Sequence, residues 1–259
     1  MFAGAFFRSA ASIPARYGPD RPGGILELNT AALDPFANRL LAGLPSKEFE
    51  KLNPHLVFGS FAQGAILTEA GSKIQNVYFP LSGMISVVVV MKDGKAIETA
   101  TIGHDGVFGA MVGFGHVVSH VRALVQVPMQ AVRIAVAQFR KIGRDSDVLQ
   151  QLAVDYNELM LAQARVTAAC NALHKVEARF CRWLLQTRDV IGNDTILLTQ
   201  EFLSEMLGVR RTSVTDVATK LQAAGIISYS RGVIKIIDLA SLKALSFECY
   251  ETLHRQRAV

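Results

Sequence analysis

Residues 198–238, LTQEFLSEMLGVRRTSVTDVATKLQAAGIISYSRGVIKIID, decide how this chain folds. Thr199 is placed to N-cap a short helix whose Phe202, Leu203, Met206 and Leu207 share an inward face, and Gly208 supplies a turn. A second helix is predicted over about 210–224, burying Val214, Val217, Ala218 and Leu221, with Gly225 as its stop. Two short helices joined by a glycine-containing turn make a helix-turn-helix unit. Residues 226–229 and 233–237 are β-prone runs around Ser230-Arg231-Gly232, so a hairpin, or wing, is expected next.

With the apolar side of the second helix turned inward, its outward face begins with Arg210, Arg211 and Thr212 and continues through Thr215, Asp216 and Lys220. An α-helix fits the major groove of duplex DNA, its first residues reach base edges, and an arginine there can pair bidentately with guanine. Arg211 is the first candidate for that role. Thr212 and Ser213, close to the helix N-terminus, suit a phosphate, because free backbone N–H groups and the helix dipole favour an anion. Arg231, with Tyr229 and Ser230, would reach an adjacent phosphate or the minor groove from the wing.

Upstream, residues 175–191 read as a helix carrying Val176, Phe180, Trp183 and Leu184 together with Arg179, Arg182 and Arg188, ended by Gly192-Asn193-Asp194. Before it, a helix is predicted from an N-cap at Asp145 or Ser146 to His174. Its Leu149, Leu152, Tyr156, Leu159, Gln163, Val166, Cys170 and Leu173 are spaced 3-4-3-4-3-4-3, the seam of a coiled coil, with Gln163 suited to fixing register. Such a seam calls for a second helix and hence a homodimer; the alternative is that it packs on the chain's own β domain.

Between about 55 and 137 the text is β-prone: LVFGSF, AILTEA, NVYFP, MISVVVVM, AIETATIG, VRALVQV and AVRIAV, with turns at Lys92-Asp93-Gly94 and His104-Asp105-Gly106. Several runs at close spacing indicate an antiparallel sandwich or roll. Residues 36–56 form a short amphipathic piece with Leu40, Leu41, Leu44, Phe49 and Leu52 at helical spacing. Residues 1–35, rich in proline and glycine, read as a flexible extension. The expected fold is therefore α+β: an extension (1–35), a jelly-roll-like antiparallel β-roll acting as a sensor (36–144), a dimerisation helix (145–174) and a winged helix-turn-helix (175–259).

Composition agrees with this division. Of 259 residues, 50% are hydrophobic and 19% charged, yet no window approaches the roughly 18 apolar residues of a membrane span. The N-terminal apolar patch lacks a preceding basic region and is interrupted by Arg8, so no secretory signal is read and a cytoplasmic protein is expected. The net charge of +5 suits an anionic partner. Cys170, Cys181 and Cys249 are far apart in sequence without CxxC spacing, so buried reduced thiols are expected, with no metal and no cofactor.

The whole layout, over about 36–245, resembles the Crp/Fnr family of bacterial transcription regulators, in which a cyclic-nucleotide-type β-roll is joined by a long dimer helix to a winged helix-turn-helix. That resemblance implies a homodimer on pseudo-palindromic double-stranded DNA, with RNA polymerase as a further partner and an effector sensed at the roll. Arg211 falls at the family's base-contacting arginine. Thr212 stands where many members carry glutamate, and Asp216 where some carry arginine.

GHDGVFGAMVGFG, residues 103–115, is similar to the family's phosphate-binding cassette, usually Gly-Glu-Leu followed by Arg-Ser/Thr-Ala. Gly109 is kept, but Ala110 and Met111 replace the Glu-Leu pair. The arginine falls on Ser119 or His120 without a gap, and on Arg122 with a short one. A pocket lacking paired donors gains too little to strip water from a phosphate, so the effector is expected not to be cyclic AMP. The family's iron-sulfur sensors use N-terminal cysteines, and none precedes Cys170. Its haem-binding members use a histidine, for which His104, His116 and His120 are the candidates. Outside the family, a cupin-type metalloenzyme would require a His-x-His pair that the sequence lacks, and a winged helix that binds protein is the remaining alternative.

Overall fold

Asn38 fixes the first described segment to the rest of the chain: its side chain donates to the carbonyls of Pro80 and Gly106, both at 2.9 Å, and accepts from the amides of Leu40 and Leu41. The structure, a computed structural model, describes residues 34–115 and 117–257. Nearly all of the expected N-terminal extension, and His116, lie outside them. Two short helices, α1 (Arg39–Ala42) and α2 (Ser46–Leu52), place Leu41 and Leu52 fully inside the first core.

The sheet that follows contains β1 (Val57–Phe61), β2 (Ile66–Thr68), β3 (Asn76–Val90), β4 (Ala96–Ile102) and β5 (Arg122–Ala135). Its order is β1-β5-β3-β4 with β2 also beside β5, and every pairing is antiparallel. Seven β-prone runs thus become five strands. NVYFP and MISVVVVM join into β3 across register shifts around Ser82, and VRALVQV and AVRIAV join into β5. Gly83 makes that irregularity possible. Its φ is +73°, and an added Cβ would lie 2.2 Å from the Pro128 carbonyl oxygen.

The unbroken valine run has a structural cause. Ile85 and Val87 point into the first core, whereas Met84 and Val88, on the opposite face, enter a second core built with the C-terminal helices. A strand covered on both faces has no reason to alternate apolar with polar residues.

After β5 comes α3 (Val136–Gly143), which the sequence reading missed, and then α4 (Asp147–Leu173), N-capped by the Ser146 hydroxyl on the Leu149 amide. The C-terminal half comprises α5 (Val176–Ile191), β6 (Thr195–Leu197), α6 (Gln200–Leu207), α7 (Arg211–Ala223), β7 (Ile227–Ser230), β8 (Val233–Ile236), α8 (Leu239–Leu245) and α9 (Phe247–Arg257). The α+β class is as expected, and the wing is a three-stranded sheet in the order β6-β8-β7.

The seam of α4 needs correction. Leu149, Tyr156, Gln163 and Cys170, seven residues apart, face the chain's own elements and are buried. Leu149 and Tyr156 belong to the first core, and the Gln163 side chain donates to Thr101 Oγ1 at 3.0 Å. Gly106 permits this approach, since a Cβ there would lie 2.0 Å from the Tyr156 hydroxyl. Leu152, Leu159 and Val166 are only partly covered, and Leu173 is 78% exposed. A heptad spacing says that a stripe is apolar, not which body covers it; here the chain's own elements, among them β4 and α9, cover half.

Two further departures concern charge and sulfur. Arg179 and Arg182 on α5 are buried despite their charge; the Arg179 guanidinium bonds the Leu207 carbonyl and the Asn171 side chain. Cys170 and Cys249, 79 positions apart in the sequence, come together at the contact of α4 with α9, next to His174.

Candidate nucleic-acid interface

Thr199 caps α6 as expected, its hydroxyl accepting from the Phe202 amide at 3.3 Å. Gly208 ends that helix at φ +62°, and α7 starts three residues later. Val214, Ala218 and Leu221 hold α7 against the second core. Burying three such side chains stabilises this seat by a few kcal/mol, on the order of 25 cal/mol per Å² of apolar surface.

The opposite side of α7 is open. Arg210, Arg211, Thr212, Thr215 and Asp216 are exposed, and Ser213 is half-buried. Arg211 Nε makes a long contact with Gln200 Oε1 (3.4 Å), and Thr215 Oγ1 lies 3.0 Å from the same oxygen. Gln200 therefore contacts the arginine through Nε. Lys220 differs from the expectation of a free groove-facing cation, because its ammonium pairs with Glu177 of α5 at 2.7 Å.

The start of α7 is built for an anion. Its N-cap is Arg210, with no side-chain cap bond and no acidic residue in the first turn. The leading amides of a helix carry unpaired donors and the positive end of the dipole. A phosphate oxygen can complete this cap, and Thr212 and Ser213 add hydroxyls beside it.

The wing is hydrogen-bonded to the last turn of α7 and to the chain before α6, and its tip lies across a groove from Arg211. Tyr229 donates its amide to Gln222 Oε1 of α7 at 2.7 Å, and the Gly232 carbonyl accepts from the Leu198 amide at 2.7 Å. Burial raises the Tyr229 phenol above its ordinary pKa, so it is a neutral hydroxyl near pH 7. At the tip Arg231 has φ +48° and Gly232 +78°, the positive pair that a tight I′ hairpin turn requires. Between the wing and α7 lies an open groove of about 510 Å³, lined by Gln200, Glu201, Arg211, Tyr229, Ser230 and Arg231.

Most residues aligned with a phosphate cassette are buried or already paired. Gly109, at φ +88°, starts a 3-10 turn whose Ala110 is buried in the first core and whose Met111 packs on it. The buried Ser119 hydroxyl donates to the Val121 carbonyl at 2.7 Å. His120 is exposed, and Arg122 Nε is paired with Glu69 Oε2 at 2.8 Å. His104 bonds the Val190 carbonyl through Nδ1 at 2.9 Å, fastening the roll to α5.

The buried carboxylate of Glu98 on β4 was not singled out from the sequence. It accepts from the Trp183 indole N–H of α5 at 2.7 Å and from the Ser86 hydroxyl of β3. A lone Glu in a β-prone run gives no signal of this; the apolar positions around Trp183 were the only hint.

Among described residues, no helix is long and apolar enough to cross a membrane. The profile of the cyclic nucleotide-binding domain matches residues 58–146, and that of the Crp-like helix-turn-helix domain matches residues 178–245. No curated protein matches the chain's sequence. Among solved structures, FixK2 from Bradyrhizobium japonicum superposes with a TM-score of 0.63 at 14% identity, covering 73% of this chain and 96% of its own. A CRP/FNR family transcriptional regulator from Thermus thermophilus gives 0.61 at 21% identity, over 73% and 98%. The c-di-GMP responsive global regulator CLP of Xanthomonas campestris gives 0.61 at 16% identity, over 74% and 99%. At such identities the structures attest the fold, while the tandem domain profiles attest the lineage. This chain belongs to the Crp/Fnr family and is a DNA-binding transcription regulator, not an enzyme, with an N-terminal unit of the cyclic-nucleotide-binding type.

Proposed function

We propose that the chain works in the cytoplasm as a homodimer that reads a pseudo-palindromic duplex with its two α7 helices, about one helical turn (~34 Å) apart. The observation that carries this is the exposed Arg210–Arg211 pair on an uncapped helix N-terminus beside a basic wing. Arg211 reads a base edge, with Thr215 and Asp216 as further edge contacts, since an Asp can accept from cytosine N4. Arg210, Thr212, Ser213, Ser230 and Arg231 hold phosphates and set register. Lys220 joins them by exchanging Glu177 for a phosphate. Selecting bound fragments from a random duplex library tests the reading: enriched sequences with two inverted half-sites one turn apart support it, and unstructured enrichment contradicts it.

The dimer uses the open flank of α4. Leu152, Leu159, Val166 and Leu173 recur every seven residues, and exposed Val148 and Ala169 lie on the same side. Because Leu173 is already mostly exposed in one chain, Leu173→Lys should leave the chain's own stability unchanged. Losing its burial in the dimer, at roughly 1.5–3 kcal/mol, should raise the dimer dissociation constant by at least about tenfold in sedimentation measurements.

The effector acts at the roll and is not cyclic AMP. Supporting this, Ala110 and Met111 offer no carboxylate for a ribose hydroxyl, and the one aligned arginine, Arg122, is held by Glu69. RNA polymerase is the further partner of a promoter-bound dimer.

Arg231 separates stability from binding. Asparagine tolerates positive φ better than arginine, so Arg231→Asn should stabilise the free chain, by up to about 1 kcal/mol in urea melts. The same change should weaken duplex binding for all sequences alike and reduce the salt slope by roughly 0.9 per protomer.

A further inference from the structure

Where the end of α4 meets α9, Cys170, His174 and Cys249 each place a ligating atom within 4.8 Å of the other two. Cys170 lies in the last turn of α4, and His174, four residues on, is the C-cap that ends the helix. Cys249 comes from α9, its Sγ 3.3 Å from His174 Nδ1. We propose that these three side chains bind one thiophilic divalent cation of the zinc class, with water as the fourth ligand.

The donor set is two thiols and an imidazole, which selects soft or borderline cations over magnesium or calcium. Tetrahedral zinc with bonds near 2.3 Å places its sulfurs about 3.8 Å apart, so the present cluster closes on an ion by shifts of about 1 Å. The imidazole is already oriented. Its Nε2 faces Glu248 Oε1 at 3.8 Å, leaving Nδ1 for the ion, in the arrangement by which a carboxylate sets a ligating histidine. The Phe247 ring stacks on it at 5.1 Å and 14°, and Phe247 is held at φ +55°, a conformation rare for a bulky residue.

Charge around the sulfurs is also suited to thiolates. Arg179 and Arg182 are buried nearby, and Arg182 Nε is buried without a hydrogen-bond partner. Each guanidinium interacts electrostatically with one of the two cysteines, Arg179 with Cys170 and Arg182 with Cys249. A cation bound here takes its sulfur ligands as thiolates, so binding releases protons and strengthens as pH rises. Occupancy fastens the last helix of the DNA-binding half to the end of the long helix, across the α4–α5 junction.

The test is titration of the reduced, chelator-stripped full chain with Co²⁺, a readout independent of whether α7 meets DNA. One ion per chain is expected, with thiolate-to-cobalt charge-transfer absorption and tetrahedral ligand-field bands that one equivalent of Zn²⁺ abolishes. Cys170→Ser and Cys249→Ser should each lose the charge-transfer signal or cut it to that of one thiolate, and His174→Ala should weaken binding at least tenfold. Cys181→Ala, which removes the thiol buried apart from this cluster in the second core, should change nothing. In the unaltered chain, free Zn²⁺ at a hundred times its dissociation constant should raise the folding equilibrium constant about 100-fold. Absence of a charge-transfer band in the unaltered chain at stoichiometric Co²⁺, or its persistence at full strength in Cys249→Ser, overturns the proposal. So does a Cys170–Cys249 disulfide that forms under peroxide in a chain that takes up no metal when reduced.

Discussion

Arg211→Ala is expected to lower affinity for the preferred duplex by about 1–3 kcal/mol per half-site, roughly 5- to 150-fold for each of the dimer's two contacts, while affinity for unrelated duplex falls only slightly. The side chain projects from the first turn of α7, is exposed, and contacts Gln200 through Nε. Removing it deletes a bidentate donor pair without disturbing Val214, Ala218 or Leu221, which seat the helix. The loss should therefore be confined to one base pair in each half-site, with preference at neighbouring positions intact. Competition binding against single-base variants of the selected site measures this. Equal loss on all sequences would place Arg211 on a phosphate.

Trp183→Ala is expected to destabilise the chain by about 3–5 kcal/mol, the usual cost of emptying a buried aromatic site. Trp183 is 1% exposed in the second core, where α5 meets Met84 and Val88 of β3 and Leu124 of β5. Its indole N–H also reaches the buried Glu98 carboxylate. Trp183→Phe separates the two contributions by keeping most of the ring while removing the donor, at a cost of about 1–3 kcal/mol. Urea melts of both variants measure the difference. Equal, small effects would mean that the contact between roll and C-terminal half adds little to folding.

What the sequence conveyed follows physical lines. The winged motif was legible because it consists of local signals: a Thr cap, glycines that tolerate positive φ, and a short polar face opposite a short apolar one. The limits of α4 were legible for the same reason, with Ser146 capping and His174 ending it. Long-range partners were not. The stripe of α4 did not reveal that Gln163 answers Thr101 across 62 residues rather than a copy of itself. Nor did the sequence reveal that Arg179 and Arg182 are buried, since buried guanidinium groups are rare.

Helices α8 and α9 were missed because residues 239–257 mix apolar and charged types without a clean stripe. Asp238, which caps α8 by accepting from the Ser241 amide at 3.0 Å, was the usable signal. The joining of Cys170 to Cys249 carries no local trace at all. At the phosphate cassette, the missing carboxylate was visible in the letters Ala110 and Met111, but the pairing of Arg122 with Glu69 was not.

Entry of the α7 face beginning at Arg210 into duplex DNA can be measured through the salt dependence of the purified chain's affinity for a duplex containing the selected site. Binding should be tight at about 50 mM salt, with a linear fall of log affinity with log salt and a slope near −0.9 for each phosphate neutralised. Arg231→Asn should show a shallower slope. No measurable binding at that low salt, or an affinity indifferent to salt and unchanged in Arg211→Ala, would contradict entry of α7 into DNA.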